Sequence, residues 1–124
     1  MYILTVEDTF ASAHQLRGYK GKCENLHGHN WKVVLSVQGA QLNDTGLLVD
    51  FHDLKSALKS VITELDHKNL CDVPYFSQIN PSSENIARYI ADRIRPALEK
   101  TAPHVKIESV AVWESETSRC TYRP

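Results

Sequence analysis

No stretch of the chain approaches the ~20 apolar residues that a membrane-spanning helix needs. The opening residues, Met1-Tyr2-Ile3-Leu4-Thr5-Val6-Glu7-Asp8, carry no positive leader and only a short apolar run, so no signal peptide is expected. An excess of charge of one sign is lacking too. Fourteen basic side chains stand against 15 acidic ones. Without a basic stripe or a Lys/Arg-rich amphipathic segment, neither nucleic acid nor a membrane surface is expected as a partner. Cysteine is sparse: Cys23, Cys71 and Cys120 are odd in number and far apart. Free thiols in a reducing cytoplasm fit that better than a disulfide framework does. Repeats, low-complexity tracts and linkers are absent. With 124 residues, 42% of them hydrophobic, one domain over 1–124 is expected, large enough to bury a core.

What is present is concentrated in Cys23-Glu24-Asn25-Leu26-His27-Gly28-His29. Histidines spaced i, i+2 project from the same face of an extended segment. Gly28 removes the side chain between them and lets the backbone come close to whatever the imidazoles hold. Phe10-Ala11-Ser12-Ala13-His14 offers a third imidazole at the end of another strand-like run. Three neutral histidines without an obligatory fourth protein ligand match an open, catalytic zinc site. Beside such a cation the thiol of Cys23 is a candidate base or nucleophile, since a neighbouring positive charge favours the thiolate. Cys23 also remains a candidate fourth ligand, which would close the site and make the zinc structural.

Alternation of apolar residues predicts a strand from Tyr2 through Phe10 toward His14 and another from His29 to Gly39. Trp31, Val33, Leu35 and Val37 share a face with His27 and His29, so the pair ends a core-facing row. Asn43-Asp44-Thr45-Gly46 signals a turn. Asp50 reads as an N-cap, with Asp53 in the capping-box position, and Leu54, Leu58, Val61, Ile62 and Leu65 give a helix from Phe51 to about Leu65. A second helix begins at Ser82 or Ser83, with Glu84 in its first turn and Ile86, Ile90, Ile94 and Leu98 along one stripe. Pro96 should kink or end it. Val105 to Glu114 and Arg119 to Tyr122 read as an antiparallel strand pair. The predicted fold is α+β in the order ββααββ, one antiparallel sheet with two helices on one face.

This order and these residues resemble the 6-pyruvoyl-tetrahydropterin synthase family, which has the tunnelling fold. The resemblance runs through Phe10-Ala11-Ser12-Ala13-His14, Cys23 with His27-Gly28-His29-Asn30, and Gly46-Leu47-Leu48-Val49-Asp50-Phe51 with Asp53-Leu54-Lys55. It continues through Leu65-Asp66-His67-Lys68-Asn69-Leu70, Asn80-Pro81-Ser82-Ser83-Glu84-Asn85 and Val112-Trp113-Glu114. Cys-x-x-x-His-Gly-His is shorter than the form typical of the pyruvoyl-making branch. It is similar to the branch that makes 6-carboxytetrahydropterin for queuosine and deazapurine biosynthesis.

The resemblance implies a zinc-dependent lyase in which His14, His27 and His29 hold the metal and Cys23 takes a proton from the substrate. It assigns Asp66 and His67 to the opposite proton transfer, Glu114 to anchoring the pterin ring, and Ser82, Ser83 and Glu84 to lining the pterin pocket. The implied substrate is 7,8-dihydroneopterin triphosphate. The implied assembly is a homohexamer, two stacked trimers with active sites at subunit interfaces. Lys20, Lys22, Arg88 and Arg119 are candidates for the triphosphate. Blander readings stand beside these. Ser82 to Glu84 make a good helix start, Asp66-His67 a helix end, and Glu114 a solvated strand terminus. Cys71 and Cys120 read as small buried hydrophobes, and His52 and His104 as surface residues. Two rival functions remain: a pyruvoyl-forming synthase and a non-catalytic, zinc-stabilised assembly module.

Overall fold

The first two long segments pair along their whole length. β1 (Tyr2–His14) and β2 (His27–Gly39) are antiparallel, in register from Tyr2 opposite Gly39 to His14 opposite His27. The structure is a computed structural model that describes residues 1–19 and 24–124. Alternation sends Phe10, Ser12 and His14 of β1 to the same face as Trp31, Val33, Leu35 and Val37 of β2, and all of these are buried. A one-residue slip would turn that entire row to the other face, so the apolar pattern fixes the register.

The helices cover this face. α1 (Phe51–Leu65) starts where the Asp50 carboxylate accepts from the His52 N–H, and it buries Leu54, Leu58, Val61, Ile62 and Leu65 against β1. Asn43 organises the preceding turn, its side-chain oxygen accepting from the Thr45 and Leu47 N–H groups, while Gly46 takes the left-handed φ of 81° that the turn needs. After α1 comes a two-residue strand, β3 (Lys68–Asn69), and two short 3₁₀ turns, Leu70–Asp72 and Pro74–Phe76. α2 (Ser83–Thr101) packs on β4 (Lys106–Ser115) and β5 (Ser118–Tyr122), with Ile86, Ile90, Ile94 and Leu98 buried.

Two expectations need correction. The sheet is mixed, with five strands in the order β3-β1-β2-β4-β5, because β3 pairs parallel to β1 at Ser12 and Ala13. Nothing in Lys68-Asn69 marks a strand. The pairing is imposed by Ser12, whose hydroxyl donates to the Leu65 carbonyl and accepts from the Lys68 N–H. Of the two outcomes expected at Pro96, a kink or an end, the end is ruled out, since α2 continues to Thr101. Pro96 lies on the exposed face, where water can take the carbonyl its ring frees. Ile94 and Leu98 on the opposite face keep the helix against the sheet.

Candidate metal centre

Register builds the centre. His14 faces His27 across the β1–β2 ladder, and Ser12 faces His29. The three imidazoles meet edge to face, with ring centroids 4.6, 5.1 and 4.7 Å apart. Trp31 is the floor under His14 and His29, at 4.9 and 5.2 Å. It is wholly buried, stacked on Phe10, and its indole N–H donates to the Ser12 carbonyl at 3.1 Å.

The main chain sets the tautomers. His14 Nδ1 lies 2.8 Å from the Pro81 carbonyl and His27 Nδ1 lies 2.7 Å from the Asn25 carbonyl. A carbonyl only accepts, so each neutral ring carries its proton on Nδ1. That leaves two Nε2 lone pairs confronting each other at 3.1 Å. Two acceptors repel at that distance unless a cation lies between them. Tetrahedral zinc with its usual bonds to nitrogen would hold such atoms about 3.3 Å apart. His29 Nε2 is buried and makes no hydrogen bond, although Glu114 Oε1 is 3.2 Å away. Burial foremost lowers the pKa of His29, with His14 and His27 adding to the effect and Glu114 opposing it, so the ring is favoured in its neutral, ligating form. One ligand atom from each of His14, His27, His29 and Glu114 falls within 4.8 Å of all the others. Lone pairs converging without a proton to share suit a divalent cation.

The other expected site residues are distributed unevenly. Cys23, with Lys20 and Lys22, lies outside the described residues. Glu114 is at the cluster, and the Ser83 hydroxyl donates to its Oε2 at 3.3 Å. Ser82 caps α2 instead, accepting from the Asn85 N–H, and Glu84 is exposed in the first turn. Among the described residues, no hydrogen bond or ion pair links Asp66 or His67 to the three histidines. The Ala11 N–H donates to Asp66 Oδ1 at 2.9 Å, foremost among the contacts that lower its pKa, and Oδ2 sits 2.9 Å from His67 Nδ1. His67 adopts φ 55°, held there by its N–H bond to the Ala11 carbonyl, and its side chain is 83% exposed. Arg88 pairs loosely with Asp92 at 3.8 Å, and Arg119 lies over the Trp113 ring at 5.1 Å. Cys71 and Cys120 are free and half-buried, His52 is exposed, and His104 Nε2 contacts the Leu48 carbonyl at 2.9 Å.

Sequence reading overlooked Glu24, whose Oε1 lies 3.5 Å from His27 Nε2. Its place beside Cys23 in the motif was the available signal.

Residues 3–124 match the model of the family described as 6-pyruvoyl tetrahydropterin synthase. The chain belongs to that family. A 6-pyruvoyl tetrahydrobiopterin synthase of Dictyostelium discoideum is 37% identical over 133 residues, covering 98% of this chain and 95% of that protein. A 6-carboxy-5,6,7,8-tetrahydropterin synthase of Haemophilus influenzae is 32% identical over 146 residues, covering 99% of each. Among solved structures, the Caenorhabditis elegans 6-pyruvoyl tetrahydropterin synthase superposes with a TM-score of 0.82 at 29% identity, covering 100% of this chain and 97% of that one. The α+β tunnelling fold is therefore shown, and the chain is an enzyme of the pterin synthase family. Among the described residues, no helix is long and apolar enough to cross a membrane.

Proposed function

We propose that this chain is a zinc-dependent 6-carboxytetrahydropterin synthase of the cytoplasm, converting 7,8-dihydroneopterin triphosphate and water to 6-carboxytetrahydropterin, acetaldehyde and triphosphate for queuosine or related deazapurine synthesis. The observation that carries the metal reading is the pair of facing Nε2 lone pairs on His14 and His27, with His29 Nε2 unbonded beside them. Held by these three histidines, zinc supplies Lewis-acid polarisation of the substrate's side-chain hydroxyls. Cys23 removes a proton from the side-chain carbon, and His67, steadied by Asp66, carries the opposite proton. Glu114 accepts from the guanidine-like edge of the ring, with the Ser83 hydroxyl holding the carboxylate in place.

Glu114 also sits close enough to serve as a fourth metal donor. A closed set of four ligands leaves no position for substrate, so in the working enzyme the carboxylate faces the pterin. Among the described residues His67 bonds to the Asp66–Ala11 corner of its own chain, which supports active sites completed by a neighbouring copy in a dimer of trimers.

The pyruvoyl-forming reaction is the second reading, favoured by the higher identity to the Dictyostelium relative. The short spacing from Cys23 to His27 supports the carboxy product. A chelator should stop triphosphate release from dihydroneopterin triphosphate, and added zinc should restore it. Full activity in metal-free protein would end the zinc reading.

A further inference from the structure

The carbonyl that aims His14 is itself held in place by one arginine and one asparagine. Arg17 follows Leu16, whose carbonyl accepts from the Glu24 N–H at 2.9 Å. Among the described residues its guanidinium pairs with no carboxylate. It donates instead to three main-chain carbonyls: Ser77 at 3.0 Å, Ile79 at 2.8 Å, and Phe76. Asn80 completes the clamp from the other side. Its Oδ1 accepts from the Arg17 N–H at 2.8 Å and its Nδ2 donates to the Arg17 carbonyl at 2.9 Å. The Asn80 carbonyl then accepts from Asn85 Nδ2 at 2.8 Å, which ties the segment to the first turn of α2.

The three residues after Asn80 connect the clamp to the metal centre. Pro81, buried, presents the carbonyl that takes the His14 Nδ1 proton. Ser82 caps α2, and Ser83 reaches Glu114. The orientation of a metal-binding imidazole is set by the acceptor on its other nitrogen. A proline carbonyl in a short segment can hold that position only if the segment is fixed at both ends, by α2 on one side and by Arg17 and Asn80 on the other.

We propose that Arg17 and Asn80 are positioning residues of the metal centre. They hold residues 76–81 so that Pro81 fixes the tautomer and ring orientation of His14 and Ser83 holds the Glu114 carboxylate. This rests on the reading of the three histidines as zinc ligands.

The test compares wild type with Arg17→Ala, Arg17→Lys and Asn80→Ala, and uses Arg93→Ala as a control that breaks the surface ion pair with Glu64. Zinc affinity is measured by chelator competition, the absorption spectrum of the cobalt-substituted protein reports ligand geometry, and Tm reports stability. Both clamp alanine variants should weaken zinc by about 10–100-fold, the usual effect of losing the partner of a metal-bound histidine, and should alter the cobalt spectrum. Arg17→Lys should not rescue, because one ammonium cannot span three carbonyls as the planar guanidinium fork does. Arg93→Ala should lower Tm and leave zinc affinity and the spectrum as in wild type. If Arg17→Ala does not fold, Arg17→Lys and Asn80→Ala decide the matter alone. Unchanged affinity and spectrum in those two would overturn the proposal, as would an equal loss in Arg93→Ala. A wild-type chain that takes up no metal would overturn the metal reading, and this inference with it.

Discussion

Asp66 Oδ2 lies 2.9 Å from His67 Nδ1, and the pair is fastened to the Ala11 main chain, with no hydrogen bond or ion pair among the described residues to His14, His27 or His29. A carboxylate that fixes an imidazole in this way is familiar from proton-transfer machinery. Yet a general acid must come within hydrogen-bond reach of the atom it serves. With an 83% exposed ring, His67 is open to a group from outside its own chain.

Mixing should reveal sites shared between chains. His67→Ala should lose about 10²–10⁴ in turnover, the usual cost of an acid–base group, and His27→Ala should lose activity together with its metal. Subunit exchange between the two inactive variants should restore part of the activity, because some mixed sites contain both missing groups. No recovery in mixtures shown to have exchanged subunits would mean that each chain builds its own site.

The sheet itself calls for partners. β5 is one edge, and on the other β3 covers only Ser12 and Ala13 of the long strand β1. Long exposed edges are an association hazard unless they are paired. Light scattering at assay concentration should therefore give a closed assembly, with six chains expected. An active, monodisperse monomer would contradict it.

Metal content separates ligands from neighbours. His27→Ala should lose zinc, whereas Cys23→Ala and Glu114→Gln should keep it, the first losing turnover and the second losing activity mainly through a raised KM. If Cys23→Ala empties the site, the zinc is structural and closed by the thiol. Loss of zinc from Glu114→Gln would make that carboxylate the fourth ligand. The zinc-free protein should stay folded, since its core, from Phe10 and Trp31 to Ile86 and Val112, is continuous without metal.

Between the helices, Glu64 takes hydrogen bonds from Arg93 at 2.6 Å and from the Tyr89 hydroxyl at 2.6 Å. The Arg93 bond foremost holds its carboxyl below the usual 4.5, and burial together with Glu64 pushes the Tyr89 phenol up to about 12. A carboxyl depressed in the folded state adds stability above its unfolded pKa and loses it as pH falls through the folded one. Wild type should therefore melt above Glu64→Gln at neutral pH, and the gap should close on acidification below 4.5. A gap independent of pH would show that the charge contributes nothing.

Much of this was legible in the residues. Alternation in β2 placed His27 and His29 on the core-facing row, and the span of α1 followed from Asp50 and the leucine spacing. The long-range partners were not legible. Nothing local says that Ser12 will recruit Lys68 into a parallel strand, that Pro81 will meet His14, or that Arg17 will gather three carbonyls from a segment about sixty residues away. Glu24 sat inside the motif, between Cys23 and His27, and was passed over because the thiol and the imidazole already supplied a chemistry.

Product identity tests the central claim most directly. Zinc, histidines and acid–base groups suit either elimination outcome, so only the product distinguishes them. Zinc-loaded protein incubated with 7,8-dihydroneopterin triphosphate, followed by mass spectrometry, should yield 6-carboxytetrahydropterin with acetaldehyde and triphosphate. A three-carbon pyruvoyl pterin accumulating without acetaldehyde would contradict the account.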